Sequence, residues 1–126
     1  LRVTYDATSD NPGDLSLLLN VCKGGDPLDN WCLATGYFFG VATEGNTCCK
    51  ILSFSEELAK SAIPAFEPGR TYHVTVEKKS DWMRILVDGK EVVRAEGRKL
   101  VGGGSVGLYV WNSGIIDNLE VYSLGE

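Results

Sequence analysis

The stretch TYHVTVEKKSDWMRILVDGKEVVRA, Thr71–Ala95, decides the fold. Tyr72, Val74, Val76 and Lys78 alternate with His73, Thr75 and Glu77. A period of two places the two sets on opposite faces of a half-buried strand. Trp82 to Val87 reads as the next strand. Asp88-Gly89 supplies a two-residue hairpin turn, because both positions tolerate positive φ. Glu91 to Ala95 is the return strand.

The same pattern extends outward in both directions. Leu1, Val3 and Tyr5 alternate with Arg2, Thr4 and Asp6. Ser9 to Gly13 has loop composition. Asp14 to Cys22, DLSLLLNVC, is apolar enough to read as a central strand buried on both faces. Residues 23–35 read as an exposed loop. Gly36 to Thr43 is a strand, Glu44-Gly45-Asn46 a tight turn, and Thr47 to Phe54 its partner. Ser55 to Ile63 is ambiguous, because SEELAKSA holds helix formers and a serine N-cap before Pro64 and Pro68-Gly69 end it. Gly102 to Gly104 breaks the chain. Ser105 to Trp111 and Ile115 to Ser123 close it as two strands joined by Asn112-Ser113-Gly114. About nine short strands without a sustained helical period predict an all-β, antiparallel two-sheet β-sandwich. Val106, Leu108 and Val110 are expected in its core, continued by Ile115, Leu119 and Val121. Tyr109 and Trp111 are expected on the opposite face of the same strand.

At 126 residues the chain predicts one domain spanning 1–126, and 44% hydrophobic residues suffice for a packed interior. Fifteen glycines fit many turns. The net charge of -5 argues against nucleic acid or anionic lipid as a partner, since both call for basic patches. No apolar run reaches the roughly 18 residues of a membrane span. The chain begins at Leu1, inside a strand, so a processed or truncated N-terminus is expected. Cys22 and Cys32 flank a turn-rich loop that a disulfide could close. Cys48 and Cys49 would point to opposite faces of a strand. Buried free thiols are the alternative for these residues. One histidine, His73, and no Cys-x-x-Cys spacing argue against zinc. No cofactor is expected.

The order of GDLSLLL (13–19), GYFFGVATEGNT (36–47), PGRTYHVTVEK (68–78), ILVDGKEV (85–92) and GSVGLYVWNSGIIDNLEVY (104–122) resembles a concanavalin A-like lectin/glucanase domain. The nearest look is the bacterial 3-keto-disaccharide hydrolase-like and laminin-G-like group. The resemblance implies a jelly roll spanning roughly Leu1 to Leu124, with a glycan as partner and a secreted or cell-envelope location. Domains of this group carry further strands before the one at Leu1. The chain is then a fragment, a minimal version, or a protein whose open sheet edge pairs with a second copy, since a bare edge is a pairing hazard.

Glucanases of that superfamily place alternate carboxylates of an E-x-D-x-x-E strand in one cleft, and a retaining pair needs about 5 Å between them. No strand here has that spacing. Glu56 and Glu57 are adjacent and would diverge, and Asp117 and Glu120 are expected on opposite faces of the last strand. Asp117 with Asn118 fits a local backbone hydrogen bond instead. His73 shares a face with Thr75 and Glu77, and a histidine beside a carboxylate can serve as a general base. No G-x-S-x-G motif accompanies it. Sugar rings present apolar C–H faces, which suit the aromatic pairs Tyr109/Trp111 and Tyr37/Phe39, although large aromatics more often fill a core. Asp26, Asp29 and Asn30 offer oxygen ligands to calcium but lack EF-hand spacing.

The leading expectation is therefore a glycan-binding module without its own catalysis, with Tyr109, Trp111, Tyr37, Phe39, His73 and Glu77 as ligand-binding residues. The alternatives are a saccharide hydrolase drawing on His73, Glu77, Asp14 and Asp117, and a protein-interaction module that assembles through its open edge.

Overall fold

Period-two segments become strands whose apolar sides face one another across two sheets. The computed structural model describes residues 1–19, 36–53, 56–96 and 106–124. Along these residues run β1 (Arg2–Thr8), β2 (Leu15–Leu19), β3 (Tyr37–Ala42), β4 (Cys48–Ser53), β5 (Glu56–Ala62), β6 (Thr71–Lys78), β7 (Trp82–Val87), β8 (Lys90–Glu96), β9 (Val106–Val110) and β10 (Ile115–Tyr122). The first sheet has the order β10-β1-β6-β7-β8 and the second β5-β4-β3-β2-β9. The protein is thus an all-β sandwich of two antiparallel sheets, with β7 and β8 joined at the Asp88-Gly89 hairpin.

Val3 and Tyr5 of β1, Val74 and Val76 of β6, and Met83 and Ile85 of β7 pack against Leu15, Leu17, Phe39, Val41 and Ile51 of the second sheet. The Tyr5 hydroxyl donates to the Leu15 carbonyl at 2.7 Å, a buried tie between the sheets. Burial pushes the Tyr5 phenol well above the ordinary tyrosine range. All of β2 is buried, as its unbroken apolar run implies. Residues 20–22 of that run lie outside the described residues, as do Cys22 and Cys32, the 23–35 loop with Asp26, Asp29 and Asn30, and Gly102 to Gly104.

Four expectations are corrected. The ambiguous stretch after Ser55 is β5: pairing with β4 overrides its helix formers, and a bulge accommodates one extra residue between the Ile51–Ala59 and Leu52–Glu57 pairs. Tyr37 and Phe39 are core residues rather than surface platforms, because their register partners Leu19 and Leu17 face inward. Val106, Leu108 and Val110 do lie in register with core residues Leu19, Leu17 and Leu15, yet each is 37% exposed. Leu119 and Val121 on β10 are likewise open, at 45% and 52%. Finally, a bulge in β10 pairs Asp117 with Asp6 and Glu120 with Thr4, two residues on one face of β1. That bulge contains Asn118 at φ 54 and leaves Ile116, not Ile115, packed on the core. Asp117 accepts the Asn118 amide at 2.8 Å, the local bond its sequence suggested. Cys48 and Cys49 are free and buried, and burial raises the Cys49 thiol to about 11. No helix among the described residues is long and apolar enough to cross a membrane.

Candidate functional site

The outward face of the second sheet is built by parity and register. Ser16 lies opposite Tyr109, Leu18 opposite Phe38, Phe38 opposite Leu52, and Gly40 opposite Lys50. Asp14, Phe38, Lys50, Leu52 and Tyr109, with Thr43 and Glu44 from the β3–β4 turn, line an open groove of about 320 Å³. Phe38 and Tyr109 meet edge to face, their ring centroids 6.1 Å apart.

Glycine makes the room. A Cβ on Gly40 would lie 2.4 Å from Thr43 Cγ2, 2.8 Å from Phe38 Cε1 and 3.1 Å from Lys50 Cγ, all on groove residues. The backbone around it is held in uncommon conformations. Asp14, Ala42, Glu44 and Asn46 take φ of 49°, 55°, 52° and 64°. The left-handed region costs non-glycine residues about 1 kcal/mol or more each, and such strain clusters where a surface is shaped for a ligand. Hydrogen bonds fix it: the Asp14 amide to the Ala42 carbonyl at 3.0 Å, and the Thr47 amide to the Thr43 carbonyl at 3.0 Å. The Asn46 side chain donates to the Phe66 carbonyl at 3.0 Å and accepts the Phe66 amide at 2.9 Å.

Charge in the groove is divided between two carboxylates. Glu44 receives Lys60 Nζ at 2.8 Å and Lys50 Nζ at 3.6 Å, with the Cys48 thiol donating at 3.2 Å. The Lys60 and Cys48 hydrogen bonds hold its carboxyl down to about 2. Asp14 is pushed the other way, by burial, with Lys50 and the Ser16 hydroxyl partly opposing. Burial and the nearby Asp14 charge raise the Tyr109 phenol. The groove thus offers an aromatic ring, a half-buried carboxylate acceptor and the Lys50 ammonium in one concavity, which suits a small polar ligand with an apolar face.

The remaining sequence-selected residues are dispersed. The Trp111 amide donates to the Gly13 and Asp14 carbonyls at 3.3 and 3.2 Å, and Trp111 is 60% exposed beside the groove wall. His73 and Glu77 lie on the outward face of the first sheet. Asp6, rather than Glu77, is the partner of His73, at 2.8 Å from Nδ1, and Asn118 in turn donates to Asp6 at 2.8 Å. The Asn118 and His73 hydrogen bonds lower the Asp6 carboxyl. Glu77 is buried between Arg2 at 2.7 Å and Arg84 at 2.5 Å. Its burial opposes ionisation, but the two arginines outweigh it and lower the carboxyl. Glu77 therefore stitches β1, β6 and β7 together. Asp14 immediately precedes β2 of the second sheet, away from His73, Glu77 and Asp117 on the first. Of the four groups named for a hydrolase, His73 and Asp117 both lie opposite Asp6, while Asp14 and the arginine-bound Glu77 do not join them.

A second concavity, about 450 Å³, lies between the 61–67 connection and the β7–β8 hairpin. Its rings, Phe66 and Tyr72, stack at 3.8 Å and are both buried, whereas the groove pairs the equally buried Phe38 with a partly exposed Tyr109. Among the described residues no cluster of His, Cys, Asp and Glu is placed to hold a metal ion. Phe38, Gly40, Glu44 and Lys50 were not singled out from sequence. Their only signal is parity along β3 and β4, which has meaning only once the registers are fixed.

No protein-family model and no curated protein matches the chain. Among solved structures, it is similar to the carbohydrate-binding module CBM66 from Bacillus subtilis. The TM-score is 0.63 at 20% identity, covering 94% of this chain and 71% of that one. At that identity the likeness shows the shared β-sandwich fold.

Proposed function

We propose that the protein is a carbohydrate-binding β-sandwich module of the concanavalin A-like kind, without its own catalysis, that holds its glycan in the groove between Asp14 and Tyr109. One observation carries the reading. Phe38 and Tyr109 stand beside Asp14 and Lys50 in an open concavity that Gly40 keeps clear. A sugar ring laid there sets its C–H bonds against the partly exposed Tyr109 ring and its hydroxyls against the carboxylate and ammonium. The likeness to a carbohydrate-binding module supports the reading at the level of fold. The separation of Asp14 from His73, Glu77 and Asp117 supports binding over hydrolysis. A secreted or cell-envelope location accords with a glycan ligand.

Affinity electrophoresis through gels containing single polysaccharides tests the proposal. The expected result is retardation in at least one gel and its loss in Tyr109→Ala with an unchanged melting curve. A folded protein that runs unretarded through the whole panel overturns it. Assembly through the open edge places a second copy against β9, and light scattering after size exclusion decides between monomer and dimer.

A further inference from the structure

We propose that Glu44 sets the class of glycan the groove accepts: by holding the ammonium groups of Lys50 and Lys60 it restricts the groove to uncharged sugars and turns away uronic-acid and sulfated chains. The inference deepens the glycan-binding reading and rests on it.

The register creates the need for such a residue. Lys50 on β4 lies directly opposite Lys60 on β5, and like charges facing across a strand pair repel. Glu44 reaches over from the turn and answers both. Oε1 accepts from Lys60 at 3.1 Å. Oε2 lies 2.8 Å from Lys60 and 3.6 Å from Lys50, and also accepts the Cys48 thiol at 3.2 Å. One carboxylate offsets one of the two ammonium charges, and Lys50 is the lysine that lines the groove. Asp14 adds a further negative charge, and none of its described contacts is an ion pair. With Asp14 the two carboxylates and two ammonium groups sum to zero, so a carboxylate or sulfate entering the groove finds no net positive charge to hold it. A hydroxyl meets an acceptor in Asp14 and the remaining N–H bonds of Lys50. The chain's net charge of -5 adds to the exclusion of anions.

The side chain of Glu44 is separable from the fold of its turn. The turn is held by the Thr47 amide and hydroxyl, on the Thr43 and Glu44 carbonyls, and by Asn46 on Phe66. Glu44→Gln therefore removes the charge and leaves the backbone bonds in place.

The test runs the full chain through native gels containing neutral glucans, mannans, galactans or fructans, and through gels containing polygalacturonate or heparin. Each is referenced to a gel without polysaccharide. The wild type is expected to be retarded in a neutral gel and unretarded in both acidic ones. Glu44→Gln is expected to gain on the order of tenfold in affinity for polygalacturonate, and the gain should vanish in high salt. Adding Lys50→Gln to that variant should abolish the gain, which shows that the released lysine carries it. Asp14→Asn provides a second route, since asparagine tolerates the left-handed backbone there and the change leaves the groove with a net positive charge; it too should gain. Wild-type retardation by an acidic polysaccharide overturns the inference while leaving the glycan reading intact. So does the absence of any gain in both folded variants. Wild-type migration unretarded in every gel overturns the glycan reading and this inference together.

Discussion

The two sides of the sandwich are made of similar strands and end differently. On one side β8 lies against β4 and β5, and Met83, Ile85, Val93 and Ala95 are buried beneath. Its edge strands carry charges, Glu56, Glu57 and Lys60 on β5 and Glu91, Arg94 and Glu96 on β8. Bulges interrupt the pairing of both. These are the usual protections of an edge. On the other side β9 reads VGLYV with no charge, and its inward residues stay 37% exposed. Inward-facing Leu119 and Val121 on β10 are equally open. Alternation decides which way a side chain points. Burial requires something across from it, and among the described residues only the β5/β8 side has that.

The largest expected effect breaks the comparison if it fails. Phe39 is fully buried on β3, and Phe39→Ala should cost about 3–5 kcal/mol in chemical denaturation. Leu119→Ala, on the open side, should cost below about 1 kcal/mol, because little apolar surface is lost from contact. Similar costs for the two would mean that the β9/β10 side is covered in solution.

Next comes the tie nearest the open side. Tyr5 is on β1, the neighbour of β10, and Leu15 is on β2, the neighbour of β9. Their 2.7 Å hydrogen bond fastens the sheets where side-chain packing is thinnest. Tyr5→Phe leaves the buried Leu15 carbonyl without that donor and should cost about 1–3 kcal/mol. An unchanged denaturation midpoint would mean that water reaches this carbonyl from the open side.

These contrasts also show what the sequence could say. Orientation was legible wherever polar and apolar residues alternate: Val74 and Val76 lie buried on the face opposite His73 and Thr75, and Tyr109 faces away from Val106, Leu108 and Val110. In GYFFGVAT parity was not legible, because both faces are apolar. Only pairing with β2 sends Tyr37 and Phe39 inward and Phe38 outward. The β10 bulge exchanges the roles of Ile115 and Ile116, and nothing local announces an extra residue in a strand. The groove was the least legible part. Asp14, the hairpin with Gly40, Glu44 and Lys50, and Tyr109 come from three separate stretches, and strand pairing assembles them.

A smaller effect, dependent on pH, concerns the first sheet between the two sides. Glu77 is held by Arg2 and Arg84 with its carboxyl below the ordinary 4.5. A lowered folded-state value means that the unfolded chain binds the proton more tightly. The ionised form therefore stabilises the fold above about pH 4.5, and that contribution is lost as the pH falls through the folded value. Glu77→Gln should lower stability at pH 7 by about 1–3 kcal/mol and flatten the acid limb of a stability–pH profile. Parallel profiles for variant and wild type would mean that the arginines do not hold this carboxylate in solution.

The smallest effect on stability carries the most weight for function. Trp111 follows β9, and its backbone amide, not its indole, fastens it to Gly13 and Asp14. With the residue 60% exposed, Trp111→Ala removes little buried surface, so the melting temperature should stay within the change of about 0.5 kcal/mol ordinary for surface substitutions. A buried tryptophan would instead cost about 3–5 kcal/mol. Trp111 shares the parity of Tyr109, which lines the groove, so a glycan extending along β9 can meet its exposed side chain. Polysaccharide retardation should therefore weaken in the same variant whose stability is unchanged. A large loss of stability would place Trp111 under a cover on the open side, and the β9 edge would then belong to the core rather than to the binding face.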